Sequence, residues 1–191
     1  MPETSLDPPR KVVLFSGHMI DAPDRASPRF PPALEPAVRD AIRHQLARIA
    51  AGPGDTAISG GACGGDLLFA EAVLDRGVPL QVYLPFDETT FIDKSVRFAD
   101  RDWIVRYRAV IARAQRFVAP EVLGPLSGGV DPYERANLWM LDEAERIGAG
   151  NVSFVCLWNG EGGDGPGGTQ HMIARVRERG GSVHWIDIRT L

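Results

Sequence analysis

Cysteine and long apolar runs are scarce in this sequence of 191 residues, which contains only Cys63 and Cys156. Two cysteines far apart, each in or beside an apolar segment, cannot form a structural zinc site by themselves and are typical of a reduced protein. The apolar runs are far shorter than the roughly 20 residues that a membrane-spanning helix needs, and no segment has the features of a signal peptide. The composition therefore predicts a cytoplasmic protein that does not enter a membrane.

A surplus of positive charge is also absent, because 21 Lys and Arg residues face 25 Asp and Glu residues and the formal net charge is −4. Proteins dedicated to binding nucleic acid usually carry a basic face. The charge balance therefore argues against nucleic acid as the partner, although it leaves room for a local basic cleft.

Short apolar runs alternate with segments of helical periodicity over residues 11–191, after a polar, proline-rich stretch at 1–10 that we expect to be a flexible tail. The apolar runs predict strands at 11–16, 56–59, 80–84, 116–119, 152–158 and 183–186. The periodic segments predict helices at 35–51, 66–76, 88–114 in two pieces, 132–147 and 169–179. This alternation predicts a single α/β domain with a three-layer, Rossmann-like fold, in which a mainly parallel sheet carries helices on both faces. The run at 152–158 is apolar on both faces, so we expect it in a central position.

The first of three unusual strand ends reads SGHMIDAPDR and supplies charge and hydrogen-bonding groups. Ligands of open parallel sheets bind at the carboxyl ends of the strands, which makes Ser16 and Gly17 candidate ligand contacts. His18 either binds a ligand hydroxyl, shuttles a proton or braces the loop. Arg25, or Arg29 a little further on, is suited to pair with a phosphate.

Asp21 in the same loop is either a ligand contact and candidate catalytic carboxylate or the cap of a turn. A metal site formed by His18, Asp21 and Asp24 is a weak alternative, because nothing in their spacing is specific for a metal. We therefore expect no metal here.

The second strand end reads SGGACGGD and combines four glycines with the start of a helix. The absence of side chains at Gly60, Gly61, Gly64 and Gly65 gives a phosphate room to reach main-chain N–H groups and the positive end of the helix dipole. The loop is therefore predicted to bind phosphate.

Two side chains in this second loop have alternative roles. Asp66 either caps the helix or accepts a hydrogen bond from a ribose hydroxyl. Cys63 is better explained as a small packing residue than as a nucleophile, because no base is identifiable near it.

The third strand end reads LWNGEGGDGPGGT. Successive N–H groups in such a turn form a concave anion site, so Gly167, Gly168 and Thr169 are candidate phosphate contacts. Thr169 is also suited to cap the next helix, and the alternative is a surface loop that binds nothing. The stretch lacks the Lys-Ser/Thr pair of a P-loop and the G-x-G-x-x-G pattern of nicotinamide-binding domains. It therefore supports neither ATP hydrolysis nor redox chemistry, and we expect no cofactor.

The helix predicted at 132–147 carries Tyr133 and Asn137, which lie four residues apart on one face. A ring and an amide on one face are suited to stack on a nucleobase and hydrogen-bond it, and Glu134 beside them to accept a bond from a ribose hydroxyl. The alternative is that these polar residues are only solvated.

With these motifs assembled, the chain resembles the SLOG superfamily of Rossmann-like domains over residues 11–188. The similarity lies in SGH followed by Asp21 and Arg25, in SGGACGGD and in LWNGEGGDGPGGT. The superfamily includes Lonely Guy phosphoribohydrolases, DNA-processing protein A and nucleotide-sensing domains of channels and bacterial defence proteins. The resemblance implies a nucleotide-derived ligand with its phosphate on the glycine loops, a homodimer and, in some members, cleavage of an N-glycosidic bond.

One departure from that resemblance concerns catalysis. Lonely Guy enzymes carry PGGxGTxxE with a catalytic glutamate, whereas this sequence reads PGGTQHM over residues 166–172, and Met172 stands where the glutamate would fall. Methionine can neither activate water nor assist the departure of a base. The resemblance therefore supports a phosphate site and argues against phosphoribohydrolase chemistry.

The leading interpretation is a sensor, signalling or defence domain that binds a nucleotide or nucleotide-derived ligand and acts through self-association or a separate effector protein. The alternative is an N-glycosidic hydrolase or transferase acting on nucleosides or nucleotides, which needs a carboxylate at the bond that breaks. Candidates for that carboxylate are Asp21, Asp66, Glu134 and Asp164. A third interpretation, single-stranded DNA binding, requires a basic groove that the acidic composition does not favour.

Overall fold

Six strands form one sheet in the computed structural model, which describes residues 11–99, 102–161 and 168–191. The strands are Val12–Gly17 (β1), Thr56–Ser59 (β2), Leu80–Leu84 (β3), Gln115–Val118 (β4), Val152–Trp158 (β5) and Ser182–Asp187 (β6). Their order is β4-β3-β2-β1-β5-β6, and each neighbouring pair runs parallel. The predicted α/β fold with a parallel sheet is confirmed.

Helices cover both faces of this sheet and give the three layers that the sequence predicts. They are Glu35–Arg48 (α1), Gly65–Asp75 (α2), Glu88–Ser95 (α3), Trp103–Ile111 (α4), Ala119–Val122 (α5), Pro132–Gly148 (α6) and Thr169–Glu178 (α7). Helices α1 to α4 pack on one face, and α6 and α7 pack on the other. Three short 3-10 turns lie at Pro32–Leu34, Arg97–Ala99 and Ile188–Thr190.

Alternating side chains of β1 supply both halves of the hydrophobic core, because successive residues of a strand point to opposite faces. Val13 and Phe15 belong to the cluster with α1 to α4, and the ring of Phe15 stacks on that of Phe69 in α2 at 4.7 Å. Val12 and Leu14 belong to the cluster with α6 and α7. Strand β5 lies between β1 and β6, and six of its seven residues are buried, as its two-sided apolar pattern predicts.

The strand order has a reversal between β1 and β5. From β1 the chain progresses through β2 and β3 to β4 on one side, then returns to place β5 and β6 on the other side. In open parallel sheets the loops on either side of such a reversal diverge and leave a crevice outside the carboxyl ends of the strands, which is where ligands bind. The fold therefore directs attention to the ends of β1 and β5.

Candidate functional site

A cavity of about 300 Å³ lies at the carboxyl ends of β1, β2, β3 and β5, beside the strand-order reversal. This volume is at the small end of the range of roughly 300–1,000 Å³ that is common for ligand pockets. Eight of the predicted site residues line this cavity. They are Ser16, Gly17, His18, Gly60, Asp66, Asn137, Gly168 and Thr169.

Other predicted site residues are absent from the cavity wall or lie outside the described residues. Those with described positions that do not line it are Asp21, Arg25, Gly61, Gly64, Gly65 and Glu134. Gly167 and Asp164, for which the sequence predicts a phosphate contact and a catalytic role, fall within 162–167 and lie outside the described residues.

His18 links the ends of β1 and β5 at one side of the cavity. The main-chain N–H of Asn159 donates to Nε2 of His18 at 3.1 Å, and the N–H of His18 donates to the carbonyl of Leu157 at 3.1 Å. The sequence analysis did not single out Asn159, although an amide directly after a predicted strand was an available signal. His18 therefore braces the junction of the two strands as well as lining the cavity.

Asp21 and Arg25 stabilise the loop after β1 and do not face the cavity, which corrects their predicted placement. The buried carboxylate of Asp21 accepts hydrogen bonds from the N–H groups of Arg29 and Phe30, each at 2.9 Å, and pairs with Nε of Arg25 at 3.3 Å. Arg25 also donates to the carbonyl of Ser27 at 2.9 Å. The arginine that lines the cavity is Arg29.

The main-chain N–H groups of the loop after β2 are largely occupied, contrary to the prediction that they are bare. Gly61 donates to the hydroxyl of Ser59 at 3.4 Å, and Gly65 donates to the carbonyl of His18 at 3.1 Å. Cys63 donates to a carbonyl of α3 at 2.9 Å. These amides serve the fold, so few N–H groups of this loop are left to bind a phosphate.

Close packing explains why Gly64 is a glycine. It forms an isolated antiparallel bridge with Met19 of the first loop, and a Cβ at this position would lie 2.3 Å from the main-chain nitrogen of Ile20. Its φ of +96° is also a conformation that other residues rarely adopt. Gly64 therefore lets the first two loops contact each other through their main chains.

Asp66 presents a carboxyl group to the cavity from the first turn of α2. The helix begins at Gly65 after an N-cap at Gly64, so the prediction of Asp66 as the N-cap is wrong. Its Oδ2 accepts a hydrogen bond from the N–H of Ala62 at 3.2 Å, and a Cβ at Gly60 would lie 3.0 Å from the same oxygen. Burial raises the pKa of this carboxyl to about 7, with the Ala62 N–H acting in the opposite direction.

The two cysteines have no chemical role at the site. Cys63 and Cys156 are fully buried, and burial raises the pKa of each thiol to about 12. A thiol that stays protonated at neutral pH is a poor nucleophile, which agrees with the packing role predicted for Cys63.

Helix α7 begins at the cavity, and no side chain of the described residues caps it. Its N-cap is Gly168, so Thr169 is the first helical residue, and the prediction of Thr169 as the cap is wrong. No acidic residue lies in the first turn. Thr169 is only 9% exposed, lines the cavity, and its hydroxyl makes no hydrogen bond within the described part of the chain.

Helix α6 borders the cavity with an aromatic ring and an amide. Tyr133 and Asn137 both line it, as their shared helix face predicts, whereas Glu134 does not. The Tyr133 hydroxyl lies 3.0 Å from the hydroxyl of Ser95 in α3. Asp131 caps this helix by accepting the N–H of Glu134 at 2.8 Å.

Trp158 at the end of β5 adds an indole ring to the cavity wall, which Tyr83, Phe91 and Tyr133 also line. Its indole N–H donates to the carbonyl of Glu161 at 2.8 Å. Met172 of α7 is fully buried in the core that α6 and α7 form with the sheet. The position that the resemblance equates with a catalytic glutamate is therefore part of the core in this chain.

Comparison with known proteins gives little beyond the fold. No family model matches the sequence, and no curated protein matches it. A solved structure of DNA processing protein A from Streptococcus pneumoniae is similar at 16% identity and a TM-score of 0.45, over 92% of this chain and 50% of that one. This chain thus spans about half the length of that structure, and the match carries no information about function.

None of the helices in residues 11–99, 102–161 and 168–191 has the length and apolar character to cross a bilayer. The same residues hold no group of three or more His, Cys, Asp or Glu side chains placed to bind a metal ion.

Proposed function

We propose that the chain binds a nucleotide or nucleotide-derived small molecule in this cavity, with the ligand's phosphate at the N-terminus of α7. The observation that carries the proposal is the start of α7, which no side chain of the described residues caps, beside the nine-tenths buried Thr169, whose hydroxyl has no hydrogen-bond partner among those residues. A helix start offers unpaired N–H groups and the positive end of the helix dipole to an anion. The threonine hydroxyl adds a donor at the same place.

Two other helices also begin at the cavity, and neither is as well suited to a phosphate. At α2 the N–H groups of Gly65 and Leu67 already donate to carbonyls, and Asp66 places a carboxyl group in the first turn. At α6 the carboxylate of Asp131 caps the helix. Acidic groups at a helix start compensate the dipole and repel a second anion, so the anion is directed to α7.

Besides its phosphate, a nucleotide has a flat base, which needs a surface to stack on. Tyr133, Asn137 and Trp158 in the cavity wall are suited to form that surface. Aromatic rings stack on flat ligands, and an amide offers both a donor and an acceptor. Arg29, which also lines the cavity, adds a cation that is suited to phosphate. A cavity of about 300 Å³ has room for one nucleotide and not for a large dinucleotide.

Binding without turnover is the form of the proposal that the residues favour. Asp21 and Glu134 do not line the cavity, and Met172 lies in the core. Binding without chemistry is what a sensor or a signalling or defence domain requires, and we propose that role for the chain. Assembly as a homodimer and action through a separate effector protein remain predictions, which light scattering and co-purification test.

The experiment compares nucleoside monophosphates with the matching nucleosides by thermal shift and calorimetry, since a ligand that binds the native state raises the melting temperature. We expect wild-type protein to prefer the monophosphates. Thr169→Val, which removes one hydroxyl, should weaken monophosphate binding by roughly tenfold and leave nucleoside binding unchanged. The matched control is Thr89→Val, in the first turn of α3 and outside the cavity wall.

These measurements distinguish failure of the α7 phosphate site from failure of nucleotide binding as a whole. Equal binding of nucleosides and monophosphates, or an unaltered preference in Thr169→Val, places the phosphate elsewhere and refutes the assignment to α7. Absence of a shift with any nucleotide refutes the proposed function as a whole.

A second candidate function, N-glycosidic hydrolysis, is favoured by Asp66 alone. Burial brings the pKa of this cavity carboxyl to about 7, a value suited to a general acid or base at neutral pH. Incubation of the protein with nucleotides and chromatography for free base tests it. Release of base that Asp66→Asn abolishes supports hydrolysis, and intact nucleotides support binding only.

A further inference from the structure

We propose that Asp66 selects ligands that carry sugar hydroxyl groups, so that the cavity binds ribonucleoside monophosphates in preference to analogues without those hydroxyls. This inference rests on the proposed function and names the chemistry of the ligand's second end. The sequence analysis predicts that the second glycine-rich loop binds the ligand's phosphate. In this proposal the loop instead provides the Asp66 carboxylate, which accepts hydrogen bonds from the ligand's hydroxyl groups.

The carboxyl group of Asp66 can accept more hydrogen bonds than the described residues donate to it. The carboxyl lines the cavity next to Gly60, and one of its oxygens accepts the N–H of Ala62 at 3.2 Å. An ionised carboxylate has about four acceptor positions on its two oxygens. Within the described residues the only hydrogen bond to this carboxyl is that single one.

A neutral hydrogen-bond donor of the ligand is the best partner for the Asp66 carboxylate, because no cationic side chain of the described residues pairs with it. No Lys or Arg side chain in the described ranges forms a salt bridge with Asp66. A desolvated carboxylate without a cation gains most from new hydrogen bonds that it accepts, and ligand hydroxyls supply them. A phosphate is repelled here, so a ligand that carries both groups is oriented with its phosphate towards α7.

Titration gives a second readout, because burial raises the pKa of Asp66 to about 7. Above this pH the ionised carboxylate accepts strongly from a hydroxyl, and below it the neutral acid accepts weakly. The hydroxyl-dependent part of the affinity therefore increases from about pH 6 to about pH 8.

Other titratable groups lie near Asp66 or line the same cavity. Burial raises the pKa of Cys63, Tyr83 and Tyr107, so they stay uncharged in this range. Glu71 and Arg106 pair with each other where α2 meets α4. The remaining groups that line the cavity are His18, Arg29, Asp131 and Tyr133.

The experiment measures, by calorimetry, the ratio of dissociation constants for a 2′,3′-dideoxynucleoside monophosphate and its ribonucleotide. A ratio taken at each pH cancels the titration of the phosphate and of groups that contact both ligands alike. We expect a ratio of roughly ten to a hundred in wild-type protein near pH 8, as for hydrogen bonds to a charged group, and a smaller ratio near pH 6.

Two variants complete the design. Asp66→Asn keeps the shape and an acceptor for the Ala62 N–H but removes the charge, so its ratio should fall to within about threefold of unity and lose its pH dependence. The matched control is Asp75→Asn, which makes the same change at the exposed far end of the same helix and should retain the wild-type ratio.

The wild-type measurement can overturn the inference even if Asp66→Asn does not fold, because the ratio must exceed unity and must increase between about pH 6 and about pH 8. Equal affinity for the two nucleotides in wild-type protein overturns the role of Asp66 and leaves the proposed function intact. A ratio that Asp66→Asn preserves also overturns it, since another group must then read the hydroxyls. Absence of any nucleotide binding refutes the proposed function and this inference with it.

Discussion

Replacing Asp66 by asparagine is expected to stabilise the protein above about pH 7 and to have little effect near pH 4. Burial moves the pKa of this carboxyl from its ordinary 3.8 to about 7, so the folded protein holds the proton more tightly than the unfolded chain does. Between these two values the unfolded chain is ionised while the folded protein is still protonated, and the free energy of unfolding therefore falls as the pH rises. The loss is complete above about pH 7, and asparagine avoids it.

The magnitude follows from the same two values. They differ by about 3 pH units, and ~1.4 kcal/mol per unit gives an upper limit of ~4 kcal/mol for the destabilisation by the ionised carboxylate. Water in the cavity solvates part of the charge, so we expect Asp66→Asn to gain about 2 kcal/mol near pH 8.

Urea unfolding of both proteins at several values between about pH 4 and pH 8 measures this effect. All other titrating groups are common to the two proteins, so the difference in the free energy of unfolding isolates Asp66. Asp75→Asn, on an exposed carboxylate, should show no such pH-dependent gain. A difference between Asp66→Asn and wild type that is constant over this range would show that the carboxyl is not desolvated in the folded state, and would remove the physical basis of its role as a hydroxyl acceptor.

Two further predictions concern packing and the cavity wall. Gly64→Ala should lower the free energy of unfolding by at least about 2 kcal/mol, since it combines a positive φ with a Cβ 2.3 Å from the Ile20 nitrogen; denaturant unfolding checks this, and Gly52→Ala, with open space around it, should be near neutral. Nucleotide binding should change the tryptophan fluorescence of wild-type protein, and Trp158→Phe should remove most of the change because Trp158 lines the cavity. A fluorescence change that Trp158→Phe retains in full would place the ligand away from this part of the cavity wall.

The fold was predictable because its signals are local. The two-sided apolar pattern of 152–158 and the amphipathic pattern of 35–51 each need only a few neighbouring residues to be recognised, and their alternation limits the topology to parallel crossovers. The strand order was not predictable, because no local pattern states which strands pair. The reversal between β1 and β5, which locates the cavity, therefore came only from the structure.

The site was predictable at the level of loops and less so at the level of side chains. Arg25 and Arg29 occur in the same proline-rich loop. The sequence does not show that the Asp21 carboxylate pairs with the side chain of Arg25 but accepts a hydrogen bond from the main-chain N–H of Arg29. That difference leaves Arg29 on the cavity wall. Asn159 was overlooked because its contact, the ring of His18, is 141 positions away in the chain.

Glycine content alone does not distinguish a loop that binds an anion from a loop that packs on its neighbour. Gly64 is needed for the bridge to Met19, and that contact places the carbonyl of His18 on the N–H of Gly65. The same hydrogen bond occupies the start of α2, where an anion would otherwise bind, and Asp66 in the next position makes this end of the cavity an acceptor. The first turn of α7 holds no acidic residue, and no side chain of the described residues caps it. The two helix starts therefore differ in electrostatic character, and we expect a ligand with a phosphate at one end and hydroxyls at the other to have a single favourable orientation between them.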